Sequence, residues 1–524
     1  MSAGPALANL GYLAAAAPAH RRFERALRRP QEAQQHILWR TIRASCATRF
    51  GREHGLDGVR SIDDWRARVP LRDFEGYRPY VERIADGEPG VLTAEPVVFM
   101  EPTGGSSGVE KLVPYTRRLL AEFSAATLPW VFDLLSRRRR VRKGRAYWAI
   151  SPPMRRLART SGGVPIGSHD SDYFPAVARF LLGQTMALSP AVGAQLDVES
   201  WRRVTLKALL ATIDLALVSV WSPSFLTLLA DALDDSFPRL LDDLENQTRA
   251  SELRKRFGRR PPEDLGEVWP RLAMVSCWTE SHAATALGPM RRRFPGVEIQ
   301  GKGLLATEGV VSFPILGLPA PVAAVTSHFL EFLDSDGAVR MVHELEAGGR
   351  YEVVLTTGGG FQRYRLKDLV DVVGHLQATP MLRFVGRADG ASDLAGEKLT
   401  PSLVKAVIER ATHELALRSR FTMLAPLPGE PPGYALFAEL DDPGRSSELA
   451  ARVEGLLLET HHYRLCRQLG QLAPVRAIPI TSGALRYERV CIEAGQRPGS
   501  IKPTSLEAST DRSLRLAGEL MPQR

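Results

Sequence analysis

Cysteine is scarce in this chain, which has four cysteines among 524 residues. The four are Cys46, Cys277, Cys466 and Cys491, and they are far apart with no paired spacing. This distribution argues against a disulfide framework and against a zinc site. It fits a reducing compartment best, so we expect a cytoplasmic protein.

Long apolar runs are also missing, since no stretch reaches the roughly 18 apolar residues needed to span a bilayer. The N-terminal residues 5–19 are apolar and rich in alanine. No basic residue precedes them, as a secretory signal requires. A packed helix or a disordered leader therefore fits this segment better, and we expect no membrane partner.

The charge balance shows only a modest excess, with 68 basic and 59 acidic residues and a net charge of +9. Such a surface is compatible with anionic substrates such as ATP or carboxylates and does not by itself indicate nucleic acid. The densest basic run, residues 137–145, fits an anion patch or the end of a helix followed by a solvated loop. We favour the helix end because cations there complement the helix dipole, and we expect no nucleic-acid partner.

Helical and strand patterns alternate along most of the chain. Apolar residues at helical spacing occupy residues 31–46, where Ile37, Leu38, Ile42 and Ala44 form one face, and recur in residues 117–136 and 201–217. Strand-like runs occupy residues 146–150, 218–221, 272–278 and 297–300. This alternation predicts an α/β domain with substantial parallel sheet. The length predicts more than one domain.

A glycine-rich turn, residues 356–362, lies between a predicted strand at 351–355 and another at 369–373. After the turn, Arg363 and Arg365 alternate with Tyr364, and in an extended chain the two arginines would share a face. Arginine suits phosphate or carboxylate. Asp368 suits a ribose diol, because a carboxylate accepts hydroxyl hydrogen bonds. The alternative is an ordinary hairpin with a solvated, charged strand.

Two further loops carry hydroxyl groups and charges. Residues 100–111 form a Gly/Ser/Thr-rich loop whose amides and hydroxyls can converge on an anion; its candidate ligands are Thr103, Gly104, Gly105, Ser106, Ser107, Gly108 and Lys111. It is not a Walker loop, since Lys111 does not directly follow a glycine. The other loop places Thr307 beside Glu308, before an apolar run.

A phosphate-type loop, a Thr–Glu loop and a ribose-type carboxylate, in that order, resemble the firefly-luciferase-like adenylate-forming superfamily. Segments 50–55, 62–65, 69–71, 80–87 and 469–475 are similar to one branch, the auxin-responsive Gretchen Hagen family of acyl-acid amido synthetases. The resemblance extends from about residue 30 to the C-terminus and looks like that of a bacterial-type member.

The resemblance implies a large N-terminal nucleotide- and acyl-binding domain, residues 1–386, with mostly parallel sheets. It also implies a small mobile α+β C-terminal domain, residues 387–524, with Arg387 and Asp389 at the hinge. The loop Gly396–Lys398 resembles the segment that enters the active site for the second half-reaction.

The activity implied is ATP-dependent formation of an acyl-adenylate, then transfer to an amine, an amino acid in this family, to give an amide. Lys502 would hold the carboxylate and α-phosphate, with Lys111, Arg363 or Arg365 adding positive charge. Glu308 would hold Mg²⁺, and the nucleotide ligands would include Thr307, Tyr364 and Asp368. We expect a monomer whose partners are a small carboxylic acid and an amino acid.

Two departures from the family leave alternatives open. Gly104 stands where plant members carry a hydroxyl residue, and Lys367 replaces the small residue before Asp368. An acyl-CoA ligase, another adenylate-forming enzyme or a non-catalytic nucleotide- or acyl-binding protein therefore remain as alternatives.

Overall fold

The computed structural model describes residues 3–103, 111–149, 158–167, 183–188, 198–388, 390–494 and 504–518. The chain divides into two compact units. The first contains Met1–Thr103 and Lys111–Gly386, and the second extends from Arg387 to Arg524.

The first unit contains helices and strands in alternation. Its α-helices are α1 (Ala3–Arg28), α2 (Pro30–Ser45), α3 (Arg49–Glu53), α4 (Ile62–Arg68), α5 (Phe74–Ala85), α6 (Arg117–Arg137), α7 (Arg139–Lys143), α8 (Val198–Ala211), α9 (Pro223–Asp242), α10 (Gln247–Phe257) and α11 (Leu287–Arg293). Its strands are β1 (Phe99–Thr103), β2 (Lys111–Tyr115), β3 (Arg145–Trp148), β4 (Ala158–Arg159), β5 (Pro165–Ile166), β6 (Leu215–Ser219), β7 (Met274–Cys277), β8 (Glu298–Gly301), β9 (Leu305–Ala306), β10 (Gly309–Val310), β11 (Ser312–Phe313), β12 (Val322–Ala323), β13 (Phe329–Leu333), β14 (Val339–Met341), β15 (Arg350–Thr356), β16 (Tyr364–Leu376) and β17 (Thr379–Arg387). Short 3₁₀ helices lie at Leu56–Gly58, Leu265–Glu267, Ser281–Ala286 and Val342–Glu344.

The apolar N-terminus forms a packed helix, which was one of the two structures expected for it. Tyr12, Ala16 and Phe23 on α1 are buried. On α2 the predicted apolar face is buried at Ile37, Leu38 and Ile42. Ala44 is exposed, so its place on that face was a wrong prediction.

The predicted parallel sheet has the strand order β3-β6-β7-β8, and each neighbouring pair is parallel. Every residue of β6 and β7 is buried, which explains their continuous apolar sequence. The hydroxyl of Ser222 caps α9, which extends to Asp242. The carboxyl ends of these strands face the region where open α/β sheets bind ligands.

A second, larger sheet was not predicted. Its order is β11-β12-β17-β16-β15-β13-β14, and the pairs β13–β14, β13–β15 and β15–β16 are antiparallel. A smaller sheet, β2-β1-β5-β4, contains the antiparallel β1–β2 hairpin. The α/β class is therefore confirmed, with antiparallel sheets beside the parallel one.

Helix α6 is long and apolar enough to cross a bilayer by length and composition alone, but 61% of the relevant window is buried inside the fold. Leu119, Phe123 and Leu134 belong to its buried face. Burial of this kind is typical of a core helix. The helix continues through Pro129.

The second unit has a three-stranded sheet, β18-β19-β20, with helices packed against it. Its elements are α12 (Pro401–Glu414), β18 (Ser419–Leu427), β19 (Gly433–Leu440), α13 (Ser446–Leu457), α14 (His461–Gln468), β20 (Arg476–Pro479), α15 (Gly483–Glu493) and α16 (Thr510–Gly518), with a 3₁₀ helix at Pro443–Arg445. The α+β class predicted for this part of the chain is confirmed.

A buried carboxylate, Glu331 on β13, joins α4 to the turn before β16. Its side chain is fully buried, and its two oxygens lie 2.9 Å from Arg66 Nε and 3.2 Å from Arg363 Nε. Arg363 also donates to the main-chain oxygens of Arg66 and Val69, at 3.1 and 2.8 Å. These contacts fix the start of β16 against the N-terminal helices.

We expect Glu331→Ala to lower the free energy of unfolding of the first unit by about 3–5 kcal/mol, because it leaves Arg363 buried without its counter-ion. Tryptophan fluorescence during urea denaturation measures this unit selectively, since all eight tryptophans precede residue 279. Glu346→Ala, at an exposed position, is the control and should change stability by less than about 0.5 kcal/mol. Equal effects of the two variants would contradict the role of Glu331.

Candidate active site

The glycine-rich turn between β15 and β16 is held by contacts with helices α5 and α6. Gly358 N donates to Glu122 Oε2 of α6 at 2.7 Å, and Thr116 Oγ1 donates to Gly358 O at 3.0 Å. Tyr77 of α5 accepts a hydrogen bond from Gln362 N at 3.0 Å and donates one to Gln362 O. Side chains would not fit here: a Cβ on Gly360, whose φ is +102°, would lie 2.5 Å from Leu92 Cβ.

Arg363 and Arg365 do not share a face, so that expectation was wrong. Arg363 has φ +52° and is not extended, and its guanidinium is committed to Glu331 and main-chain oxygens. Arg365, unlike Arg363, lies within β16. It forms a bidentate pair with Glu352, with both distances 2.8 Å. That pair raises the pKa of Arg365. Any role of either arginine toward substrate stays a prediction.

The strand that carries Asp368 is distorted immediately before it. Glu352 pairs with Leu369 while Val354 pairs with Arg365, so the register shifts between them. Bulges of this kind re-aim side chains and are common next to active sites. Within the bulge Lys367 has φ +64°. Asp368 itself is buried.

Lys367 reaches away from the site, to the N-terminus of α5. Its Nζ lies 2.8 Å from Asp73 Oδ2, and Asp73 caps α5 through Gly76 N. The backbone of the neighbouring Arg72 forms hydrogen bonds at the start of β16. Arg72 N donates to Arg363 O at 3.2 Å, and Arg365 N donates to Arg72 O at 2.7 Å. The unusual lysine before Asp368 thus serves the packing of α5 on β16.

Thr307 and Glu308 form the two-residue turn between β9 and β10. Tyr115, the last residue of β2, donates its hydroxyl to Thr307 O at 2.5 Å. Tyr364, the first residue of β16, donates its hydroxyl to Glu308 Oε1 at 2.9 Å. The strand that follows the phosphate-type loop and the strand that carries Asp368 therefore both hold the Thr–Glu turn.

His328 packs against Gly309, the residue that follows the turn. A Cβ on Gly309 would lie 2.9 Å from the His328 ring, so glycine is required for this close approach. His328 Nδ1 lies 3.0 Å from Glu122 Oε2, the same oxygen that accepts Gly358 N. Sequence reasoning missed Tyr115 and Glu122. Tyr115 ends the strand after the predicted phosphate loop, a position that was a usable signal.

Some of the remaining candidate residues are described by the structure and others are not. Thr103 and Lys111 face each other as the last pair of the β1–β2 hairpin, and Lys111 Nζ lies 5.5 Å from the centre of the Phe74 ring. Arg387 ends β17 and begins the second unit. The other candidates, Gly104, Gly105, Ser106, Ser107, Gly108, Asp389 and Lys502, lie outside the described residues.

The loop Gly396–Lys398 of the second unit contains a buried carboxylate. Glu397 accepts hydrogen bonds from Leu394 N, Ala395 N and Tyr434. Burial and the charge of Asp393 raise the pKa of Glu397 to about 7.

Two solved structures share this fold. The solved structure entitled AtGH3.15 acyl acid amido synthetase in complex with 2,4-DB is similar over 95% of both chains, with a TM-score of 0.65 and 18% identity. A 2-hydroxyisobutyryl-CoA ligase in complex with 2-HIB-AMP and CoA is similar over 95% of this chain and 94% of its own, with a TM-score of 0.52 and 15% identity.

Family models identify the branch. The GH3 family N-terminal, central and C-terminal domain models match residues 19–299, 322–387 and 402–510. The chain therefore belongs to the GH3 family. Indole-3-acetic acid-amido synthetase GH3.2 of Arabidopsis thaliana is 22% identical over 478 residues, which cover 80% of this chain and 86% of that protein. Indole-3-acetic acid-amido synthetase GH3.8 of Oryza sativa subsp. indica is 24% identical over 443 residues, which cover 72% of this chain and 70% of that protein.

Two substitutions at Lys367 test the strain in the bulge. Lys367→Gly and Lys367→Ala both remove the ion pair with Asp73, but only alanine keeps the penalty of a positive φ, about 1–2 kcal/mol. We expect the glycine variant to be more stable than the alanine variant by about 1 kcal/mol in urea denaturation, the reverse of the usual order in a strand. An alanine variant equal to or more stable than glycine would show that the bulge is not strained.

Proposed function

We propose that this chain is an ATP-dependent acyl acid amido synthetase. It would join a carboxylate to ATP, giving an acyl-adenylate and pyrophosphate, and then transfer the acyl group to an amino acid, giving an amide and AMP. The observation that carries the proposal is the Thr307–Glu308 turn, which Tyr115 and Tyr364 hold from two different strands. Membership of the GH3 family supports the amine acceptor.

The first step must bring two anions together. A carboxylate attacks the α-phosphorus, the bond to the bridging oxygen breaks, and pyrophosphate leaves with the electron pair. Positive charge and preorganised donors at the site lower this barrier. Within the proposal Lys111 and the amides of residues 104–108 face the phosphates, and Lys502 neutralises the carboxylate and α-phosphate.

Glu308 fits a magnesium ligand. Its side chain is buried, Oε1 accepts the Tyr364 hydroxyl, and Oε2 accepts no hydrogen bond from the described residues. Within the described part of the chain no group of three or more His, Cys, Asp or Glu forms a metal cage. This is compatible with Mg²⁺, which is commonly bound by one or two carboxylates together with substrate phosphates. When bound, the ion would offset phosphate charge.

Isotope exchange between pyrophosphate and ATP, measured over a panel of aryl and aliphatic acids, tests the first step. We expect exchange that depends on the acid. Amide formation with a set of amino acids, run beside thioester formation with coenzyme A, then tests the acceptor. ATP binding without exchange for any acid would overturn the proposal, and thioester as the only product would favour a CoA ligase.

Asp368→Ala should weaken ATP binding by about 10- to 100-fold, because the ribose loses a charged hydrogen-bond partner of about 1.5–3 kcal/mol. Calorimetry with ATP measures the change. Asp371→Ala is the matched control, since Asp371 lies on the same strand and pairs with Arg350 at 2.7 Å. If Asp368→Ala binds ATP as the wild type does, Asp368 is not a ribose ligand.

Glu308→Gln should raise the magnesium concentration required for half-maximal exchange, because an amide is a poorer ligand for a hard cation than a carboxylate. Tyr364→Phe should produce a smaller shift in the same direction, since it removes the hydrogen bond that orients the Glu308 carboxylate but keeps the carboxylate itself. A magnesium titration of all three proteins checks the order. Superimposable titration curves would remove Glu308 from the metal site.

A further inference from the structure

Lys302, directly after β8, lies among three tryptophans at the carboxyl ends of the parallel strands. Its Nζ is 5.0 Å from the ring centre of Trp221, 5.5 Å from Trp130 and 5.9 Å from Trp148. It donates to Ser219 Oγ at 2.7 Å. We call Lys302 with these three rings the tryptophan cage.

The cage holds a cation without a counter-ion. Within the described chain, the polar side-chain partner of Lys302 is the neutral Ser219 hydroxyl, and neither Asp nor Glu pairs with it. Burial lowers the pKa of Lys302 to about 8, so the ammonium form still predominates at pH 7. An ammonium has three donors, and removing it from water without an anion is costly.

The cage is also partly exposed. Lys302 and Trp148 are only partly buried, while the Trp221 side chain is 40% exposed. Trp221 packs on Trp278 with ring centres 5.7 Å apart, which extends the aromatic wall past the end of β7. Flat apolar walls around one charged donor are typical of a small-molecule pocket.

The position of the cage separates it from the reacting group. The Thr307–Glu308 turn is held by Tyr115 and Tyr364, from the other two sheets, whereas Lys302 is held at Ser219, where β6 ends. The two lie at opposite ends of the segment 302–308. A substrate whose carboxylate is activated at the turn would present its far end to the cage.

We propose that the tryptophan cage binds the distal end of the acyl substrate, and that this substrate is a carboxylic acid with a flat apolar body and a second anionic group. The proposal rests on the proposed function and adds the substrate class. The tryptophan rings pack against the body, and Lys302 pairs with the second anion.

Matched acids test this directly. We expect the wild type to prefer 3- or 4-carboxybenzoate over the corresponding methylbenzoate in pyrophosphate exchange, measured as a ratio of kcat/KM. Lys302→Met should lower that ratio by about 10- to 100-fold, the scale of one charge-assisted hydrogen bond. Lys207→Met, a partly exposed lysine on α8, is the control and should leave the ratio unchanged. Equal losses for both acids in Lys302→Met would overturn the proposal, because Lys302 would then serve the reacting carboxylate or the fold.

Direct binding separates this inference from the proposed function. Quenching of tryptophan fluorescence by the dicarboxylates should occur in the wild type, weaken in Lys302→Met and persist in Lys302→Arg. It should also weaken from pH 7 to pH 9.5, because Lys302 loses its charge above pH 8 while the neighbouring Cys277, its pKa raised to about 12 by burial, stays neutral. Quenching without exchange would contradict the synthetase and keep the pocket. Binding of the dicarboxylates that is the same in Lys302→Met as in the wild type would overturn the pocket.

Discussion

The ion pair between Glu331 and Arg363 is the interaction on which the candidate site depends. The fully buried carboxylate of Glu331 pairs with the guanidinium of Arg363. The backbone of Arg363 is in the left-handed region. Such a conformation persists only where surrounding contacts over-determine it. The next residue, Tyr364, thereby begins β16 with its hydroxyl at Glu308, and Asp368 follows on the same strand.

Around this pair, most charges in the site region are already neutralised by the protein. Arg365 is paired with Glu352, Lys367 with Asp73, and Glu122 with Arg118. Charged groups with this many partners position the chain more than they bind ligands. Within the described residues, Glu308 Oε2 and the Lys302 ammonium are two groups that keep capacity for a ligand. One suits a cation and the other an anion, which is the pairing required by an enzyme that activates one end of an acid and recognises the other.

Candidate residues were easier to name from the sequence than their contacts were to predict. Thr307, Glu308 and Asp368 stood out because hydroxyl and carboxylate groups beside tight turns after strands have few structural reasons to be there. The same reasoning overvalued Arg363, since spacing in an extended strand assumes a backbone that the positive φ at this position breaks. It overlooked Lys302, because one lysine after a short strand carries no signal until three tryptophans from distant segments surround it.

By itself the sequence determined local elements such as α2 and the buried strand β7, since these patterns depend on neighbours a few residues apart. It also determined the GH3 family, since ordered motifs extend over most of the chain. Only the tertiary structure decided which charged side chains form ion pairs within the protein and which remain for ligands. Pairing of Glu331 with Arg363, or packing of Trp130, Trp148 and Trp221 around Lys302, joins residues far apart in the chain, and such contacts follow from the packing of whole elements rather than from any local pattern.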